Sequence, residues 1–374
     1  TIPNLILGER LRGAYSVTLD KSYLAGFFRP SVGVKTLSYQ LEAGNLNPDA
    51  DDSPYYVAPQ ASLDTGLFFE RDTTLFDNGF TQTLEPRAYY LYRDYESQDG
   101  LGGITTPQSR VNFDSSDLIV TYQQLFRDSR FSGGDRIDDA NQLTLGVTSR
   151  LVDAESGIER IRASIGQITY FDDRKVNLRY APDSYENTRS QSAIAGQLNG
   201  QIGDHLRLSN DVLYDHQEGE IKAFSSSLHY MDNAYRIVNF RYRYSRDPAI
   251  LSPLDATPRI GDTLNQVDIS TIWPVSNQWS VVARANYDFN FNAELDTFAG
   301  LEYTDCCYRV RVLARQWVDF DFSEDFLKNI KGRDYDRGVF VEVQLRGIGT
   351  LSQRISNLLD KAMLGYSERE ASLQ

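Results

Sequence analysis

Cys306 and Cys307 are adjacent and are the only two cysteines in the chain. On a strand or turn their side chains point in different directions, so a bond between them would be strained. They could be two structural thiols. In an exported protein, exposed thiols are oxidised, which favours bonding to distant partners, and this chain holds no other cysteine. The three histidines, His205, His216 and His229, have no neighbouring Cys or His at metal spacing, so no metal site is expected. His229 and Ser227 would share a strand face and could imitate a hydrolase pair, but a polar side chain facing water is the simpler reading. Phe131-Ser132-Gly133-Gly134-Asp135-Arg136 is Gly-rich but lacks the Lys-Ser/Thr of a phosphate loop and the helix after it. Asn47-Pro48-Asp49-Ala50-Asp51-Asp52 has carboxylates enough to attract Ca²⁺, yet lacks the EF-hand Gly and terminal Glu. With no nucleophile elbow, Walker loop or dinucleotide fingerprint, neither a catalytic residue nor a cofactor is expected.

Composition narrows the classes further. The formal charge is −14, from 52 acidic and 38 basic residues, which argues against nucleic acid as a partner. Aromatics reach 12 %, with 23 Tyr and 19 Phe, while the mean hydropathy is −0.44. A transmembrane barrel combines these traits, because half of each strand faces water and aromatic girdles mark both interfaces. No stretch approaches the roughly 20 apolar residues of a membrane helix, which a barrel does not need. The opening Thr1-Ile2-Pro3 carries neither Met nor signal peptide, so a fragment of an exported protein is expected.

These residues must be positioned by strands. Between 278 and 291, Trp279, Val281, Ala283, Ala285, Tyr287, Phe289 and Phe291 share one face. Ser280, Val282, Arg284, Asn286, Asp288 and Asn290 share the other. In 339–346, Val339, Val341, Val343 and Leu345 oppose Phe340, Glu342, Gln344 and Arg346. In 158–171 the apolar set slips from Ile161, Ala163 and Ile165 to Ile168 and Tyr170, which predicts a β-bulge. About sixteen segments follow the pattern, each long enough for a tilted crossing of about 9–11 residues: 9–18, 27–42, 56–71, 80–94, 116–127, 138–153, 157–173, 188–203, 204–217, 220–231, 234–246, 262–274, 278–290, 293–306, 307–321 and 336–347. Short turns alternate with long polar connections such as 95–115, 173–187, 246–262 and 321–335. The expected fold class is all-β, a transmembrane antiparallel β-barrel over 1–350. The tail 351–374 is set apart, with Ile355, Leu358, Leu359 and Ala362 at helical spacing.

Four stretches resemble a known family. Gln82-Thr83-Leu84-Glu85-Pro86-Arg87-Ala88-Tyr89-Tyr90-Leu91-Tyr92 is similar to a signature of the lipopolysaccharide-assembly LptD family. So are Gly134-Asp135-Arg136-Ile137 with Ala140 to Arg150, Tyr303-Thr304-Asp305-Cys306-Cys307-Tyr308-Arg309-Val310-Arg311, and Val343-Gln344-Leu345-Arg346-Gly347. The likeness runs through most of the chain and is weak before about residue 56. It implies a cell outer-membrane barrel of 26 strands, of which these segments would be the later ones. It also implies an N-terminal periplasmic jellyroll domain, an LptE-type lipoprotein plugging the lumen, periplasmic bridge proteins, and folding by the barrel-assembly machinery. Each of Cys306 and Cys307 would pair with a distant cysteine nearer the N-terminus. Lipopolysaccharide would leave through a seam between the first and last strands. The last strand would be about 336–347 here, with Val339, Val341, Val343 and Leu345 on its apolar face. Arg284, Asn286, Asp288, Arg309 and Arg311 would then be polar positions of the lumen.

The expected function is therefore a non-enzymatic translocon that inserts lipopolysaccharide into the outer leaflet. A general porin shares the same type of wall and would be favoured by a constriction loop. An outer-membrane hydrolase would need a Ser/His/acid cluster on one face. A soluble β-rich binding module would place the second face of its strands against another sheet.

Overall fold

The alternation in the sequence becomes a run of antiparallel strands in the computed structural model. It describes residues 6–42, 51–75, 77–98, 101, 111–118, 120–178, 185–246, 263–318, 335–345, 349–350 and 354–372. Asn47 to Ala50 of the acidic loop, the connection 247–262, Arg346-Gly347 and Ser352-Gln353 lie outside the described residues. The chain divides into two units: residues 1–197, 211–222 and 247–262, and residues 198–210, 223–246 and 263–374. No helix among the described residues is long and apolar enough to cross a membrane.

The first unit holds β1 (Gly8–Thr18), β2 (Lys21–Tyr23), β3 (Gly26–Leu41), β4 (Tyr55–Leu67), β5 (Phe69–Leu75), β6 (Asn78–Arg93), β7 (Ala140–Asp153) and β8 (Glu159–Tyr170). β1 and β2 pair with β3, β3 with β4, β4 and β5 with β6, β6 with β7, and β7 with β8, all antiparallel. The segment expected as one strand over 56–71 is thus broken at Phe68, and its halves pair with successive stretches of β6. β9 (Ile194–Ile202) and β10 (Leu206–Asp215) form a hairpin.

Two expectations are corrected here. Residues 116–127 are not a strand: they hold a 3-10 turn, Gln123–Phe126, within the connection from β6 to β7. That connection folds back onto the polar face of its own unit. Tyr122 and Leu125 pack on Ile168 and Ala195, while Leu101, Val111 and Ile137 join Leu37, Tyr39 and Leu41 of β3 with Tyr56 and Ala58 of β4. The slip in 158–171 is not a bulge either. β8 stays in register with β7 from Ile161 to Tyr170, and Ile168 simply points to the polar side, where Leu125 covers it. A register shift does fall within 158–171, but ahead of the slip: Arg160 of β8 is the extra residue opposite Leu151/Val152.

The second unit continues with β11 (Glu220–Met231), β12 (Ile237–Ser245), β13 (Leu264–Pro274), β14 (Trp279–Asp288), β15 (Ala293–Thr304), β16 (Tyr308–Trp317), β17 (Asp336–Leu345) and the two-residue β18 (Gly349–Thr350). Each pairs antiparallel with the next. Among the described residues helices are few: the single turn α1 (Tyr185–Thr188), then α2 (Arg354–Ala362) and α3 (Tyr366–Ser372) after β18. An isolated helix of nine residues is marginal in water, so α2 depends on what it packs against.

Candidate functional site on the last strands

The strand alternation of the second unit is broken at one level, and register shows why. Met231, Ile237, Ile272, Val282, Gly300, Leu313 and Phe340 are consecutive cross-strand partners from β11 to β17. Directly opposed residues share a face, so these apolar side chains form one row on the face otherwise given to polar groups. Phe298, two residues from Gly300 on β15, adds to it. Ile355, Leu359, Met363 and Tyr366 of the C-terminal segment lie on this row, each at most 3 % exposed. Full burial of such a side chain stabilises by about 1.5–3 kcal/mol. That packing lets a helix persist on a strand surface.

The next level towards the short turns is Ser280, Glu302, Arg311 and Glu342, again direct partners across β14 to β17. Arg311 donates from Nε to Glu302 (2.6 Å), from Nη1 to Glu342 (3.0 Å) and from Nη2 to Glu370 of α3 (2.8 Å). Arg369 reaches down from α3 to Glu302, and Arg309 reaches up to Glu370. Three guanidinium groups thus face three carboxylates, and Glu302, Glu342, Arg309, Arg311 and Arg369 are all 5 % exposed or less. Glu342 also accepts the amides of Ile355 (3.0 Å) and Ser356 (3.2 Å), which caps α2 from the strand below it.

On the other side of the apolar row, Arg284 of β14 donates to Asp268 of β13 and Asp296 of β15. Asn286 lies on the same face, half-buried, with no partner for its Oδ1. Asp288 is buried at the strand end and accepts from Gln266 and from the amides of Asn290 and Phe291. His229 hydrogen-bonds Asn239, which in turn donates to Ser270 Oγ and to the carbonyl of Leu364. Gly365 sits above His229 with φ +85°, and a Cβ there would come within 2.9 Å of the imidazole. The histidine is a buried docking contact for the turn between α2 and α3. Among the described residues no group of His, Cys, Asp and Glu could hold a metal ion.

The opposite face is apolar and open. Trp279 is exposed, Val281, Ala283 and Tyr287 are partly so, and Ser280, Val282 and Asp288 behind them are buried. On β17, Val339 is 71 % and Val341 59 % exposed, Leu345 is exposed and Val343 half-buried. Cys306 and Cys307 form the exposed turn between β15 and β16, where Asp305 accepts the amide of Cys306 and donates its own to Tyr308 O. Beside that turn the Tyr303 ring contacts both Trp279 and Tyr308, with centroids 5.0 and 5.9 Å apart. A cluster of large aromatics at a strand end suits a membrane–water interface.

In the first unit the folded-back connection is held by charge. Arg10 of β1 grips Asp114 with both terminal nitrogens (2.7 and 2.9 Å) and also reaches Asp135. The Arg10 hydrogen bond holds the Asp114 carboxyl at about 2, below the usual range. Asp135, fully buried, accepts the amides of Phe113, Asp114 and Ser115. This is the Gly134-Asp135-Arg136 stretch of the sequence, now seen as a buried anchor.

A family model described as LPS transport system D, LptD, matches residues 6–279, more than half of the chain. The chain belongs to the LptD family. The LPS-assembly protein LptD of Saccharophagus degradans is 40 % identical over 367 residues, covering 98 % of this chain and 42 % of that protein. The LptD of Pseudomonas aeruginosa strain UCBPP-PA14 is 39 % identical over 97 % of this chain and 41 % of its own length. The chain therefore spans about two fifths of these LptD relatives. A solved ferric enterobactin receptor of P. aeruginosa covers 90 % of this chain and 53 % of its own, at 11 % identity and TM-score 0.34, too distant to bear on the assignment. The resemblance read from the four stretches is borne out, and so is the all-β class, as a run of antiparallel strands. Sequence reasoning missed Glu302, Glu342, Arg369 and Glu370. The signal available was the apolar residues, Ile272 and Val282 among them, interrupting an otherwise polar strand face.

Proposed function

We propose that this chain is the later part of a cell outer-membrane barrel that inserts lipopolysaccharide into the outer leaflet, acting as a translocon and not as an enzyme. Membership of the LptD family carries the reading, through alignments that run across both the cysteine turn and β17. The glycan would pass along the polar face at Arg284 and Asn286. Asp288, Arg309 and Arg311 share that face but are buried, the two arginines beneath α3, so they hold the fold there and do not meet the glycan while α3 is docked. Acyl chains would move sideways through a seam whose one lip is β17, presenting Val339, Val341, Val343 and Leu345. An unpaired strand edge in lipid costs several kcal/mol per bare backbone group, so the seam must close on an earlier strand when idle. The partners in this reading are an LptE-type lipoprotein in the lumen, an N-terminal jellyroll domain, periplasmic bridge proteins and the barrel-assembly machinery. Cys306 and Cys307 would each bond a distant cysteine of the full-length protein, orienting that domain beneath the lumen. Peptide mapping without reducing agent should recover both long-range bonds, and a Cys306–Cys307 bond alone would refute this role.

The experiment that tests the function is depletion of the full-length protein from its own cells. Surface lipopolysaccharide should fall and return on re-expression; unchanged surface lipopolysaccharide would overturn the proposal. A general porin is the second reading, favoured by the β6–β7 connection folded over a polar face in the manner of a constriction. It predicts steady ion conductance in planar bilayers from the purified full-length protein.

A further inference from the structure

β17 is held in an unusual way. Among the described pairings it has one full-length neighbour, β16, and only two residue pairs with β18. Yet its polar side is bound from above. Glu342 receives two amides and the Ser356 hydroxyl of α2, together with Arg311 of β16. Phe340 packs at the end of the apolar row beneath α2. Through Arg369 and Glu370, the same helical segment is fixed to Glu302 on β15 and to Arg309 and Arg311 on β16. A ladder to one neighbour lets an edge strand hinge about that ladder. A body tied to three successive strands on one face opposes hinging, because opening must also separate buried opposite charges or strip the apolar row.

We propose that α2 and α3 form a strap that fixes the position of β17, with Glu302, Arg311, Glu342 and Arg369 as its positioning residues. Release of the strap, with the β16–β17 ladder intact, is then the route by which the far edge of β17 moves. The inference rests on the translocon reading only for what that movement serves, namely widening the seam for acyl chains. The fixing of the strand follows from the contacts alone. The segment is also built to let go as a unit. α2 is too short to stand by itself, and its N-terminal amides are satisfied by a strand side chain, so losing Glu342 contact removes its cap and its anchor together.

Hydrogen exchange on the full-length protein in its native complex, in nanodiscs, tests the strap. Arg369→Glu reverses one anchor, Arg369→Lys keeps its charge, and Leu359→Ala weakens only the apolar seat, covering the case in which charge reversal prevents assembly. We expect Arg369→Glu and Leu359→Ala to speed exchange of the β17 amides by about tenfold or more, with β6 to β8 of the first unit unchanged and Arg369→Lys close to the parent. Exchange of β17 at the parent rate while α2 amides exchange freely would overturn the proposal. Faster β17 exchange with unchanged lipopolysaccharide capture on that strand would uphold the strap and count against the seam.

Discussion

Glu302 and Arg369 meet beneath α3, each nearly inaccessible to water, and the carboxylate is shared with Arg311 of the neighbouring strand. A buried ion pair adds little net stability over apolar packing, but removing one partner leaves the other charge stranded.

Glu302→Ala should therefore be far worse than a cavity of its size, destabilising the second unit by about 3–5 kcal/mol. The double change Glu302→Ala with Arg369→Ala should recover part of that loss. Chemical unfolding of the full-length protein in detergent, with the two single variants completing a mutant cycle, checks it. Additive losses would mean the two groups do not interact.

Gly146 and Gly166 lie under the folded-back connection of the first unit. A Cβ on Gly146 would come 2.8 Å from the Phe126 ring and 2.9 Å from Tyr122 Oη, and one on Gly166 3.0 Å from Leu125. Gly146→Val should lift residues 122–126 off β7 and β8 while leaving the strands paired. The expected result is protease cleavage within 120–130 of the variant in intact membranes. Resistance equal to that of the parent would show that the contact can repack.

The Asp114 carboxyl is depressed to about 2 by its hydrogen bond to Arg10, opposed by partial burial. Its stabilising effect is complete above the ordinary carboxylate range near 4. It is lost as pH falls through about 2. Exchange of the 113–115 amides, extrapolated to a common intrinsic rate, should stay slow down to about pH 4 and rise below it. Arg10→Gln should make these amides exchange faster already at neutral pH and flatten the rise below about pH 4. An Arg10→Gln profile identical to the parent would dissociate the ion pair from loop anchorage.

The strands were legible because period-two alternation is local: Trp279 to Tyr287 needs nothing beyond ten residues to be read. The site was not, because its parts are spread from Met231 to Glu370 and become a row only through register. Val282 and Ile272 stood among polar neighbours and looked like noise in the pattern, as did Ile168 in the first unit. In each case the apolar exception marks where another segment of the chain covers the polar face. The same physics misleads in reverse at 116–127, where Leu118, Val120 and Tyr122 alternate like a strand although the segment belongs to a covering loop.

In the proposed function, lipopolysaccharide meets this chain at β17. A photoreactive residue placed at Val341 of the full-length protein, with Ala283 on the apolar face of β14 as the control, tests it most directly in living cells. The account predicts that lipopolysaccharide is captured at Val341 in preference to Ala283. Equal capture at the two positions, or none at Val341 while lipopolysaccharide still reaches the surface, would contradict it.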